Sequence, residues 1–450
     1  MHGVPARQDQ LQSHQFSTQR MVAALLTHDP DPARSPFRHT TTATLVGILL
    51  AVVALAGAAV YGLLTGADSG NWRDEGAILV EKESGARYVY RKADDKLHPV
   101  LNYTSALLAV HTVDAHVVLV SRAALAAAPL GGQLGIAGAP DSLPPRGSLV
   151  TAPWTLCSTP AGSTLLVGAA VHGGRALATP KVGSAAEGLL VSTVDSQEYL
   201  VYAGRRFRIP NPGPVLAALG WRSQPPLRVA PALVNALPAG PDLRPPAIAN
   251  RGRPSAALPG AKVGQLAIGP GHQTAVFLAD GVYDLTELQA LLLLTDPAPV
   301  PVPGALTLTT AQYGALHRSA TSLQAPDSLP ANVPSLVGPA ITVCVTDSDV
   351  LLGPTVPEAS PAGSGAGVDR TLVPRGRGAI VEAAAAPNAP PGTGTLSLVT
   401  DAGLRYPLAS PGLLAVLGYG GVTPQRVPAG LVALLPSGPT LDPAALQSAG

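Results

Sequence analysis

The chain has 450 residues, 46% of them apolar and 13% charged, with a formal net charge of +1. That length can bury more core than one ordinary domain, and the near-zero charge excludes the concentrated basic excess of a nucleic-acid binder. With 48 Gly and 47 Pro, short of a low-complexity composition, many turns and long loops are expected around a real core.

The first predicted element is a helix over Gln10–Leu26, ended by Pro30 and Pro32. Leu11, Phe16, Val22, Leu25 and Leu26 give it a loose apolar face. It reads as a short amphipathic helix in a tail of residues 1–39, lying on a membrane or docking on a partner, although a partly ordered tail fits the same periodicity.

The second is a transmembrane helix within residues 40–67. No side chain from Thr40 to Ala67 is charged, and a helix over Ala43–Leu64 would be about 33 Å long against a bilayer core of roughly 30 Å. Tyr61 could anchor it at the headgroups. A cleaved signal peptide would have a shorter basic leader and a shorter apolar run, and a buried core helix is the other bland reading. The 39 residues before the span favour an uncleaved anchor. Arg20, Arg34 and Arg38 precede it, whereas Asp68, Arg73, Asp74 and Glu75 follow it. The positive-inside rule then puts the N-terminus in the cytoplasm and residues 68–450 outside the cell membrane. The densest later apolar run, Ala290–Leu294, is far too short to span.

The outer region repeats. Ala203–Trp221 aligns with Ala402–Tyr419 with a single gap, and Leu233-Val-Asn-Ala-Leu-Pro-Ala-Gly-Pro-Asp-Leu243 matches Leu431-Val-Ala-Leu-Leu-Pro-Ser-Gly-Pro-Thr-Leu441. A second signature, Ala139-Pro-Asp-Ser-Leu-Pro144, recurs as Ala325-Pro-Asp-Ser-Leu-Pro330. Upstream of the first copy lie strand candidates Arg87–Arg91 and Lys96–Leu101, then a helix over Thr104–Val110. Upstream of the second lie Thr274–Leu285 and a helix over Thr286–Leu294. Asp280-Gly281 predicts a hairpin turn of the primed kind, which needs positive φ. The order is therefore A-B-A′-B′, with units near 87–145, 198–246, 273–331 and 396–445. The expected fold is α+β: four small units packed with approximate two-fold symmetry around a β-rich centre. Gly353–Gly378 and Ala384–Gly394, rich in Gly, Pro, Ala and Ser, read as flexible loops.

Cys157 and Cys344 fall 17 residues after Pro140 and 18 after Pro326. Such matched positions would meet near a two-fold axis, where an oxidising compartment favours a bridge. Two unrelated buried thiols are the plain alternative.

Catalytic signals are scarce. None of the five lysines, Lys82, Lys92, Lys96, Lys181 and Lys262, follows a glycine, so a phosphate-binding loop is absent. No serine carries the flanking glycines of a nucleophile elbow. His111 and His116, five apart, would face opposite sides of a strand, so a loop location is plainer than a metal pair. Asp94-Asp95 reads as a turn. Two cysteines make no zinc motif. No catalytic, metal or cofactor-binding residue is therefore assigned.

The chain resembles EccB, a core membrane component of the actinobacterial type VII (ESX) secretion system. The resemblance rests on Gln19–Leu26, Ser84–Tyr90, Lys96–Asn102, Gly135–Pro140, Trp154–Cys157 and Leu435–Asp442, in that order over almost the whole chain. It implies a single-pass protein of the inner membrane that associates with EccC (an FtsK-like motor ATPase), EccD and EccE. It also implies self-association in a hexameric complex, with the outer part forming some of its extracytoplasmic side. An ATP hydrolase activity has been assigned to the family, and ATP is a possible ligand by that implication alone. The repeat units also resemble those of a cell-wall-binding module. A structural subunit, an extracytoplasmic ATP hydrolase and a wall-binding module are thus the three functions to separate.

Overall fold

A computed structural model of the chain describes residues 7–27, 37–64, 72–151, 153–179, 186–296, 302–323, 329–338, 342–346, 349–386 and 389–448. The elements in order begin with α1 (Arg7–Thr27) and α2 (Phe37–Leu64). A first sheet follows, of β1 (Ala77–Glu81), β2 (Arg87–Arg91), β3 (Lys96–Pro99) and β4 (His116–Val120), with α3 (Tyr103–Val110) before β4 and α4 (Arg122–Leu125) after it. Next come β5 (Trp154–Thr159), β6 (Gly162–Val167) and β7 (Arg175–Ala176). The second small sheet holds β8 (Glu187–Ser192), β9 (Glu198–Tyr202), β10 (Arg205–Ile209) and β11 (Leu227–Arg228), with α5 (Pro212–Ala218) and α6 (Pro231–Ala236). The third holds β12 (Leu266–Ile268), β13 (Thr274–Phe277), β14 (Val282–Leu285) and β15 (Leu306–Thr307), with α7 (Glu287–Leu293) and α8 (Thr310–Ala315). After β16 (Ser335–Leu336) come β17 (Val343–Val345), β18 (Val350–Leu352), β19 (Ser360–Pro361) and β20 (Arg370–Leu372). The last sheet holds β21 (Ala379–Ala384), β22 (Thr395–Val399), β23 (Arg405–Pro407) and β24 (Gln425–Pro428), with α9 (Leu413–Val416) and α10 (Ala429–Val432).

The described residues up to Trp72, with Val120–Ala127, form one compact unit, and the rest form a second. In the first, α2 is helical because Ala, Leu and other apolar residues fill it without a proline. Leu45, Val46, Leu50, Ala51 and Leu55, spaced around its circumference, are all exposed. The expected span reached Ala67, and residues 65–67 lie outside the described ones. Among the described residues no helix is long and apolar enough to cross a membrane. Helix α1 is longer than expected but lacks a single apolar stripe. At 3.6 residues per turn Phe16 sits across the axis from Leu11, Val22 and Leu25.

In the second unit the four small sheets share one strand order, to which β16 adds a fifth strand, parallel to β8, in the second sheet. The third strand pairs the second, the second pairs the first, and the fourth returns to the first. Each sheet thereby begins with a strand upstream of the sequence repeat, at Ala77, Glu187, Leu266 and Ala379. The same two backbone bonds tie the third strand to the loop that closes each unit. They are Leu97 N to Pro129 O with Gly131 N to Leu97 O, and Arg206 N to Pro238 O with Gly240 N to Arg206 O. In the third and fourth sheets they are Val282 N to His317 O with Ser319 N to Val282 O, and Arg405 N to Pro436 O with Gly438 N to Arg405 O.

Packing joins units that are far apart in sequence. One core combines Ile78, Val89, Leu107 and Leu108 of A with Leu398, Leu413, Leu417 and Tyr419 of B′. Another combines Leu200, Phe207 and Trp221 of B with Leu288 and Leu292 of A′. The recurrent hexapeptide is part of the first junction. Asp141 takes both guanidinium nitrogens of Arg87, at 2.8 and 3.1 Å, and the amide of Tyr103. Pro144 O accepts from the buried Tyr419 hydroxyl at 2.8 Å. In the second copy, residues 325–328 lie outside the described ones.

Two expectations need correction. Gly353–Gly378 is not a flexible loop throughout, because β19 and β20 run through it and β20 pairs parallel with β6. Gly and Pro flank these short strands and dilute their signal. At Asp280-Gly281 neither residue has positive φ, so no primed turn forms. Gly281 is needed because a Cβ there would come within 2.7 Å of Ser319 N and 2.8 Å of His317 O.

Candidate functional site: the disulfide-centred sheet

Between the small sheets lies a seven-stranded sheet in the order β19-β20-β6-β5-β17-β18-β7. Its strands come from the two segments that follow the A and A′ units. Alternation divides its faces. Trp154, Leu156, Leu165, Val343 and Val345 join the large central core, while Cys157, Cys344 and Leu166 pack together on the other face. The antiparallel register sets Cys344 directly opposite Cys157. The two are disulfide-bonded, fully buried, with Cα atoms 4.0 Å apart.

At the edge of this sheet Asp369 grips the β5–β6 hairpin. Its Oδ2 accepts the amide and the hydroxyl of Ser163, each at 2.7 Å. Those bonds, the backbone one foremost, hold the Asp369 carboxyl below its usual range. A cavity of about 720 Å³ opens here, lined among others by Ser158, Ser163, Arg228 and Asp369. The Ser163 Oγ in turn accepts from the Asp369 amide at 3.1 Å, so the pair clamps β20 onto β6.

The remaining candidates are dispersed. His111 ends α3 in the left-handed region, with its amide bonded to Leu107 O. His116 starts β4 and pairs with Asp74 at 3.3 Å. The two histidines share no strand: His111 lies in the turn after α3, as the loop reading has it, whereas His116 opens a strand. Asp94 and Asp95 do form a turn between β2 and β3, and each has a partner. Asp94 meets His98 Nε2 at 2.9 Å, while His98 Nδ1 meets Gly132 O at 2.8 Å. Asp95 accepts from Arg73 and Tyr90. The Arg73 bond first, then the Tyr90 bond, lower the Asp95 carboxyl, and the Asp95 bond raises the Tyr90 phenol. Among the described residues no group of three His, Cys, Asp or Glu could hold a metal ion. The Ser163–Asp369 clamp and the Tyr419–Pro144 bond escaped sequence reasoning. Each joins residues more than 200 positions apart and carries no local signature.

The four like sheets around a disulfide-centred one fit one class of protein, the transport component of a type VII secretion system. It matches the family described as type VII secretion system ESX-1, transport TM domain B, over residues 4–449, and it belongs to that family. It is 34% identical over 304 residues to the ESX-2 secretion system ATPase EccB2 of Mycobacterium tuberculosis (strain ATCC 25618 / H37Rv), covering 64% of this chain and 59% of the relative. To the ESX-3 secretion system ATPase EccB3 of Mycolicibacterium smegmatis it is 28% identical over 471 residues, 96% of this chain and 88% of the relative. The fold is similar to a chain of an intact ESX-5 inner membrane complex, with TM-score 0.64 and 26% identity over 99% of this chain and 96% of that one. It is also similar to a chain of the periplasmic assembly of that complex, with TM-score 0.60 and 26% identity over 82% and 95%.

Proposed function

We propose that this chain is a structural subunit of a type VII secretion membrane complex, crossing the membrane once and contributing to its extracytoplasmic side. The observation that carries this reading is the family match over residues 4–449, joined to likeness in fold with a chain of an inner membrane complex along nearly its full length. The partners are the other Ecc subunits, EccC, EccD and EccE, with further copies of the chain itself. The test is purification of the tagged full chain from native membranes. Co-elution with the motor subunit is expected, and a motor complex that assembles and secretes without this chain would overturn the reading.

Orientation follows from the arginines before the apolar run of α2 and the acidic residues after it. A cysteine at Ser17 should be shielded from an impermeant thiol reagent in intact cells, and one at the exposed Ser364 should react. The reverse pattern would invert the topology.

The two halves of the outer region relate by an approximate two-fold through the Cys157–Cys344 bridge. Two arrangements support this: A packs on B′ while B packs on A′, and the two cysteines sit opposite in register.

Energy for transport comes from the partner motor. The relatives carry the word ATPase in their names, but phosphoryl transfer needs a cation cradle, magnesium and an oriented nucleophile. The lysines are few and no Gly-Lys loop exists. The purified full chain should hydrolyse ATP no faster than a mock preparation. Activity that co-elutes with the chain and is lost on a point substitution would establish the hydrolase instead, and retention on peptidoglycan would favour the wall-binding reading.

A further inference from the structure

Edge strands expose unpaired amides and carbonyls and are normally kept short or guarded by charge or proline. The fourth strand is an edge in each small sheet, and three of the four are guarded in that way. β11 is Leu227-Arg228, β15 is Leu306-Thr307, and β24 carries Arg426 and Pro428. β4 differs. It is five residues long, His116-Val-Val-Leu-Val120, without a Lys, Arg, Asp, Glu or Pro. Val117 and Leu119 on one of its faces are 51% and 61% exposed, and Val113 just before it is 63% exposed. Among the described residues no strand pairs with its outer edge.

We propose that β4 pairs antiparallel with β4 of a second copy of this chain, centred on Val118. The proposal rests on the reading of the chain as a membrane-complex subunit. A strand suits this edge better than a lipid surface, because only another strand satisfies its amides and carbonyls. A second copy suits it because the strand is self-compatible. With the two-fold at Val118, Val117 of each copy faces Leu119 of the other on one face of the joined sheet, and each His116 faces a Val120. No like charges are opposed. A shift of one residue would move the exposed pair to opposite faces, so the register is selected. His116 is already engaged by Asp74 at 3.3 Å. Two five-residue strands bury too little surface for a stable dimer alone, so the contact registers copies that the membrane complex already holds side by side.

The test uses the full chain in native membranes, where the natural cysteines are bridged to each other. Val118→Cys should give an oxidised dimer on a non-reducing gel, because opposed strand residues lie within disulfide reach. Ser364→Cys should not. Adding Leu119→Arg to Val118→Cys should lower the dimer yield roughly tenfold, corresponding to about 1.4 kcal/mol of lost pairing. A Val118→Cys chain that co-purifies with the motor and reacts with thiol reagent, yet forms no dimer, overturns the proposal and leaves the secretion reading intact. A cross-link to a different polypeptide also overturns it. A chain that neither cross-links nor co-purifies overturns both.

Discussion

The loop that closes each small sheet reaches the third strand through the same pair of backbone bonds, but the third sheet solves the steric problem differently. In A, B and B′ the loop supplies a glycine. A Cβ on Gly131 would come within 2.2 Å of the His98 ring, on Gly240 within 2.4 Å of Phe207, and on Gly438 within 2.3 Å of Tyr406. In A′ the loop residue is Ser319, and the glycine has moved to the residue just before the third strand, Gly281, pressed against the loop backbone. Lys96, Arg205 and Leu404 hold that position in the other sheets, one residue before the bonded Leu97, Arg206 and Arg405. What is required is one missing Cβ at the crossing, and either partner can provide it. The ring position varies too. Phe207 and Tyr406 present plain rings, whereas His98 adds contacts to Asp94 and Gly132 O.

The largest test asks whether the units depend on the bridge between the two segments that build the central sheet. Replacing Cys157 and Cys344 together by Ala opens a loop of 187 residues. The expected loss is roughly 5 kcal/mol in the chain-entropy description, read by urea unfolding. A loss under about 1 kcal/mol would show that the sheet holds the halves without it.

Next, Gly438→Ala should cost about 3 kcal/mol, since the added methyl must displace the Tyr406 ring in a packed core. Gly281→Ala should cost a similar amount by pushing on backbone. If Gly281→Ala alone is neutral, the A′ arrangement is not the counterpart of the other three. Tyr419→Phe leaves the buried Pro144 carbonyl without its donor, so a cost of roughly 1–2 kcal/mol is expected from thermal melts. The smallest change is Ser319→Gly, which makes the A′ loop resemble the others. It loses the hydroxyl bond to Asp280 at 2.6 Å and should cost about 1 kcal/mol or less.

One titration sharpens the contrast further. Near the A′ crossing, Tyr313 donates to Asp284 at 3.1 Å, and Arg318 pairs with the same carboxylate at 2.8 Å. Burial foremost, and then that bond, push the Tyr313 phenol up to about 12. A phenol whose value is raised in the fold stabilises fully below its unfolded value of about 10. That contribution is lost as pH rises through about 12. Tyrosinate absorbance compared with Tyr313→Phe should show the late phenol. A Tyr313 that titrates near 10 would mean the ring is solvated.

How much was legible follows from the range of each signal. The duplicated Leu-Pro-x-Gly-Pro runs at 237–241 and 435–439 announced repeated units, and the matched cysteine spacings announced the bridge. Those patterns are written in neighbouring residues, as is the charge asymmetry around the apolar run of α2. The first strand of each unit was not read, because Glu187–Ser192 and Ala379–Ala384 are buried on both faces and lack alternation. Nor was β20, three residues long among glycines and prolines. The sequence by itself determined the repeat, the cysteine match and the scarcity of catalytic groups. Tertiary structure alone decided that A packs on B′ and B on A′, that Asp369 closes on Ser163, and that a glycine could change sides at Gly281. Those outcomes depend on volumes and hydrogen-bond partners that meet only after folding, and nothing within a few residues of each position encodes its eventual neighbour.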